Sequence, residues 1–176
     1  MNDSISNARR GVAFAAALLC LAGCGSTGPK SAAETGRSIG LVAPLRSLGS
    51  AVFGKVRVVD RGDGVEVLVS AANMPTGEYR VAFHQNGNCS SSNGFSAGPA
   101  WAPAGRQPTT LTPPLVNVDG NTEASLHVSG VHTSGENGLA GRSVILYMGR
   151  TIPVIVPGVN NSALACGVFE PAQVWF

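Results

Sequence analysis

From Ala51 onward, apolar and polar residues alternate with a period of two over most of the chain, as in strands buried on one face. VFGKVRVVD and VEVLVSA are separated by Arg61-Gly62-Asp63-Gly64, in which Asp63-Gly64 is a strong hairpin signal. In the second run Val65, Val67 and Val69 share one face, and Glu66, Leu68 and Ser70 the other. EYRVAFHQ sets Tyr79, Val81 and Phe83 against Arg80, Ala82 and His84, and TEASLHVSG sets Ala124, Leu126 and Val128 against Glu123, Ser125 and His127. PLVNVDGN, with a second Asp-Gly turn at Asp119-Gly120, and GRSVILYMG are further strands, whereas RTIPVIVPG is apolar but broken by Pro153 and Pro157. Asn86 to Pro114 is dense in Gly, Ser and Pro and predicts a long loop. About seven short strands without an amphipathic helix predict an all-β, antiparallel sandwich or barrel. No internal repeat stands out.

Residues before Ala51 follow another logic. Arg9 and Arg10 precede GVAFAAALLCLA, an apolar run too short to span a bilayer comfortably. It ends in Leu21-Ala22-Gly23-Cys24, which resembles the lipobox of bacterial lipoproteins. That resemblance implies cleavage before Cys24 and a diacylglycerol on its thiol; the alternative is an ordinary secretory signal. Gly25 is not the aspartate associated with inner-membrane retention, so the expected location is the cell envelope, lipid-anchored to the outer membrane and facing the periplasm. Gly25 to about Gly49, rich in Gly, Ser, Ala and Thr, reads as a tether. The expected boundaries are a signal peptide at 1–23, a flexible tether at 24–49 and a barrel domain at 50–176.

Composition narrows the partners. Of 176 residues only 12% are charged, and a formal charge of +2 gives no basic footprint for nucleic acid. The membrane, through the N-terminal lipid, is one expected partner; a protein or small-molecule ligand of unspecified kind is the other. There are four cysteines. Cys20 leaves with the signal and Cys24 takes the lipid, so Cys89 and Cys166 meet an oxidising compartment. A single disulfide is expected; the alternative, two free thiols acting as metal ligands, lacks any CxxC-type spacing.

Four stretches resemble the copper/zinc superoxide dismutase family, over roughly Phe53 to Phe169. GEYRVAFHQNGNC aligns without a gap on Gly-Glu-His-Gly-Phe-His-x-His-x-x-Gly-Asp-Cys. SAGPAWAP is similar to Ser-Ala-Gly-Pro-His-Phe-Asn-Pro, GRSVILY to Gly-Arg-x-x-Val-x-His, and SALACGVF to Ser-Arg-x-Ala-Cys-Gly-Val. The resemblance implies a Greek-key antiparallel β-barrel, a Cys89–Cys166 disulfide, and copper and zinc as the family's cofactors.

Its ligand positions are mostly lost. Among the copper positions only His84 keeps an imidazole; Ala82, Ala100 and Tyr147 replace the others. Thr112 falls where an aspartate is expected, and Ala163 where the family has the arginine that orients superoxide. Copper needs several imidazoles in fixed geometry and zinc about four N, O or S donors. One histidine supplies one. No metal cofactor and no catalytic residue are therefore expected. His127 and His132 would rebuild a site only if the fold brought them to His84; His127 reads as solvent-facing, and His132 begins the turn HTSGENG. GENGLAG lacks the context of a phosphate loop, the serines of NCSSSNGFS have no neighbouring acid and base, and Asn160-Asn161-Ser162 carries little weight as a glycosylation acceptor. The expected function is a non-enzymatic envelope lipoprotein whose barrel serves as a binding or structural module. The alternative is a residual copper/zinc protein or dismutase with an atypical ligand set.

Overall fold

The computed structural model describes residues 40–154, 156–157 and 162–172. The expected signal peptide, lipidated Cys24, most of the expected tether and Asn160-Asn161 lie outside them. The described residues are all-β, with strands β1 (Leu41–Ser47), β2 (Phe53–Arg61), β3 (Gly64–Ala72), β4 (Gly77–His84), β5 (Leu115–Asn117), β6 (Asn121–Ser129), β7 (Ser143–Met148), β8 (Ala163–Val168) and β9 (Glu170–Pro171). Eight of them form a nearly closed antiparallel barrel in the order β5-β4-β7-β8-β1-β2-β3-β6, and β9 pairs with β1. Helix among the described residues is limited to a 3-10 turn at Phe95–Ala97 and one turn, α1, at Pro108–Leu111.

The alternating runs fold as their pattern predicts. Val56 and Val58 of β2, Val65, Val67 and Val69 of β3, and Leu126 and Val128 of β6 enter one hydrophobic core. Each such side chain contributes about 1.5–3 kcal/mol relative to exposure. The β2–β3 loop sits one residue earlier than the Asp63-Gly64 signal suggests: Arg61 pairs with Gly64, so Gly62 and Asp63 make the turn. Gly62 takes φ +58°, which costs a residue without a Cβ little. Asp119-Gly120 also turns the chain, but β5 then pairs with β4 and β6 with β3. The two ends of the sheet meet at this seam. Side chains bridge it: Thr122 Oγ1 donates to Asn117 Oδ1 (2.9 Å), and Asn117 Nδ2 donates to the carbonyls of Met74 and Pro75 (3.0 and 3.1 Å).

The expected tether is too long. Leu41, Ala43 and Leu45 are buried in the core, and β1 pairs with β2 on one side and with β9 and β8 on the other. Among the described residues the barrel's first strand thus starts at Leu41, ahead of the expected boundary at residue 50. LVAPLRS hides its alternation behind Pro44, which falls between the stretch paired with β9 and the stretch paired with β8, a gap that tolerates a residue without an N–H. RTIPVIVPG, over its described residues, forms no strand.

Strands β4, β7 and β8 are buried on both faces. Tyr79, Val81, Phe83, Val144, Leu146 and Ala165 point into the main core. Their other face carries Ala82, Ile145, Tyr147, Ala163 and Cys166, which pack with Ala97 as a second, smaller cluster. The long β4–β5 loop lies over that face, held by Gln85 N–H to Pro99 O (3.1 Å), Asn86 N–H to Ala97 O (2.9 Å) and Trp101 N–H to Phe83 O (2.7 Å). A Cys89–Cys166 disulfide fastens the loop to β8 across 77 residues of sequence, so the two thiols are not free.

Candidate functional site

The site begins with β4, whose alternation turns Arg80, Ala82 and His84 away from the main core. The covering loop pairs Ala100 with His84 as an isolated bridge. His84 is only 1% exposed. Its Nδ1 lies 2.8 Å from the Gly98 carbonyl, which can only accept, so Nδ1 carries the hydrogen. Nε2 is then the acceptor, and the Tyr147 hydroxyl donates to it at 3.0 Å. Gly98 reaches its place with φ +73°, and a Cβ there would meet Asn86 Nδ2 at 2.6 Å. Burial holds the His84 imidazole below its ordinary pKa, the bond to Gly98 offsetting this only in part. Burial also raises the Tyr147 hydroxyl. The pair is two neutral groups satisfying each other inside the protein.

His84, Ala82, Ala100, Tyr147 and Ala163 thus converge on one face, Ala82, Tyr147 and Ala163 in the small cluster and Ala100 across the bridge. This neighbourhood does not fit copper or zinc. It offers one imidazole with both ring nitrogens committed, and no buried side-chain N or O among the described residues lacks a partner. Thr112 donates its hydroxyl to the Val81 carbonyl (2.5 Å), a side-chain staple on the β4 backbone. His127 and His132 do not join His84. His127 Nε2 lies 3.0 Å from Asp63 and His132 Nδ1 3.5 Å from Asp60, both about half exposed beside the β2–β3 hairpin.

Above His84 opens a cleft of about 570 Å³. Phe95, Pro99 and Ala100 form one wall, Pro108 and Thr109 of α1 another, and Ile152, Pro153 and Val154 a third. Arg80 ties two of these walls together. Its Nε and Nη2 donate to the Arg150 carbonyl (3.2 and 3.0 Å), and its Nη1 donates to the carbonyl of Thr112, just after α1. Arg150 in turn bonds Glu78, Nη2 to Oε1 at 2.6 Å, which lowers the Glu78 pKa.

Apart from Ala100, neither these walls nor the role of Arg80 is among the residues that sequence reasoning selects. The available signal is RTIPVIVPG itself: an apolar run that prolines keep out of a ladder must pack elsewhere. The chain matches no model of a known protein family, and no curated protein sequence matches it.

Proposed function

We propose that this chain is a lipid-anchored protein of the bacterial cell envelope, built on a Greek-key barrel of the superoxide dismutase type, whose former metal face has become a packed, metal-free binding face. Three features support the reading. The lipobox-like Leu21-Ala22-Gly23-Cys24 supports the anchor. The four family-like stretches fall on β4, the covering loop, β7 and β8, and their ligand-equivalent positions meet around His84. The strand order, in which β6 follows β5 in sequence yet lies against β3, supports the Greek key.

The observation that carries the loss of metal chemistry is the double commitment of His84, to Gly98 through Nδ1 and to Tyr147 through Nε2. A metal would have to displace the tyrosine and then find its remaining donors among alanines. With Ala163 at the arginine position, the fixed positive charge that steers an anion is missing there as well.

The test is to purify the protein from cells grown with excess copper and zinc, and to measure metal per chain and superoxide dismutation. Folded protein with far less than one metal per chain and no activity is the expected result. Stoichiometric copper, with dismutation abolished by His84→Ala, overturns the reading.

A further inference from the structure

We propose that the cleft over His84 binds an uncharged, rigid, largely apolar small molecule. This rests on the reading that the His84 face no longer holds metal, and it names the class of ligand that face takes.

Size is the first argument. About 570 Å³ lies inside the range of small-molecule sites, and the cleft is concave and lined mainly by apolar side chains. Charge is the second. Among the described residues, no Asp, Glu, Lys or Arg lines it. Its one titratable lining group, His84, is neutral and already bonded on both nitrogens. A charged ligand would therefore lose water without gaining a counter-charge, which is costly. Among the described residues the floor offers no free buried side-chain donor or acceptor, which suits an apolar deep end of the ligand. Besides His84 the polar lining side chains are Asn86, Ser96 and Thr109. The Ser96 hydroxyl is taken up by Ser91 and the Asn88 carbonyl, and exposed Asn86 and Thr109 suit a single hydrogen-bonding group held toward solvent.

Shape is the third argument. Pro99, Pro108 and Pro153 come from three separate segments, and each wall is stiffened by a ring that fixes its backbone φ. Arg80 holds the α1 end and the Arg150 segment at one spacing. Walls prepared in this way lose little entropy on binding, which favours a rigid guest. Phe95, 47% exposed, and Val154, 88% exposed, leave apolar surface in water around it.

Three probes sharing one ring system test the idea: indole (neutral), indole-3-acetate (anionic) and tryptamine (cationic), titrated calorimetrically into the full purified chain. Saturable one-to-one binding of indole, with both charged probes weaker by about tenfold or more, is expected. Phe95→Asp should weaken indole by about tenfold, with Phe53→Asp, an exposed substitution outside the cleft, leaving it unchanged. Val154→Asp, at an almost fully exposed position, serves as the second variant should Phe95→Asp fold poorly. Absence of saturation by indole overturns the proposal, whether a partner's side chain or nothing fills the cleft. Equal binding of all three probes, or indole binding insensitive to both cleft variants, overturns it too. These outcomes are distinct from failure of the metal-free reading, which shows as copper on the purified chain.

Discussion

Tyr147 donates its hydroxyl hydrogen to Nε2 of His84 across 3.0 Å, joining β7 to β4 beneath the covering loop. Tyr147→Phe keeps the ring and removes the donor, leaving a buried acceptor unpaired at a cost of about 1–3 kcal/mol. Replacing both partners, as Tyr147→Phe with His84→Leu, removes the orphan together with the bond. The double variant should thus be less destabilised than the sum of the singles, by about 0.5–1.5 kcal/mol in urea unfolding. Additive losses would show that the two side chains are not coupled.

Stability should fall on mild acidification because of His84. Burial keeps its native pKa below the ordinary 6.5 of the unfolded chain. As pH drops below about 6.5 the unfolded state takes up this proton first, so stability is lost until the native imidazole also protonates. Above about 6.5 the contribution is fully present. Glu78 and Asp63, whose pKa values are lowered, act in a separate window, below about pH 4. His84→Gln should flatten the slope of unfolding free energy just below about pH 6.5 and leave the lower window intact. A slope identical to that of the parent would remove His84 as its source.

The Cys89–Cys166 bridge closes a loop of 77 residues, for which chain entropy gives about 4 kcal/mol. Cys89→Ser should lower the Tm by about 10–20 °C for a barrel of this size. Because Cys89 also packs against the small cluster, indole binding should weaken in the same variant even well below its Tm. Reduction of the parent protein should reproduce both effects; an unchanged Tm on reduction contradicts the stabilising role.

Much of the fold is legible because its contrasts are sharp. Val65, Val67 and Val69 declare their face because Glu66 and Ser70 interrupt them, and β6 does the same with Glu123, Ser125 and His127. β1 is illegible because Pro44 breaks a short alternation amid Gly- and Ser-rich sequence, and its burial depends on β2 and β8. The other face of β4 misleads in a different way. The alternation only sets Arg80, Ala82 and His84 opposite the apolar face, yet Ala82 and His84 are buried by a loop from further along the chain. The family resemblance draws attention to Ala82, Ala100 and Tyr147. The polar pairing on this face is not legible, since the bond between His84 and Tyr147 joins residues 63 apart and no local pattern encodes it.

The lipid anchor has a direct readout. If Cys24 carries a diacylglycerol, mass spectrometry of the purified protein should find Cys24 as the N-terminal residue with acyl mass attached. Cys24→Ser should move the protein from the membrane pellet to the soluble envelope fraction. A soluble parent protein with an unmodified N-terminus would leave an ordinary secretory signal as the explanation of residues 1–23.

Arg80 makes a prediction that separates the cleft from the barrel beneath it. Its side chain donates to carbonyls on both cleft lips, Thr112 on one and Arg150 on the other. It takes no part in the main core. Arg80→Ala should therefore cost little global stability, about 1 kcal/mol or less, because carbonyls near the surface can turn to water. The lips should nonetheless loosen, with faster amide exchange at Arg106 and Thr110, whose N–H groups bond Pro103 and Gln107. Indole should bind about tenfold more weakly as the preformed spacing is lost. Arg80→Lys, with a single ammonium in place of the planar fork, reaches one lip at a time and should recover only part of the affinity. If Arg80→Ala left exchange and indole affinity unchanged, the walls would owe their spacing to the disulfide and the loop's backbone bonds alone.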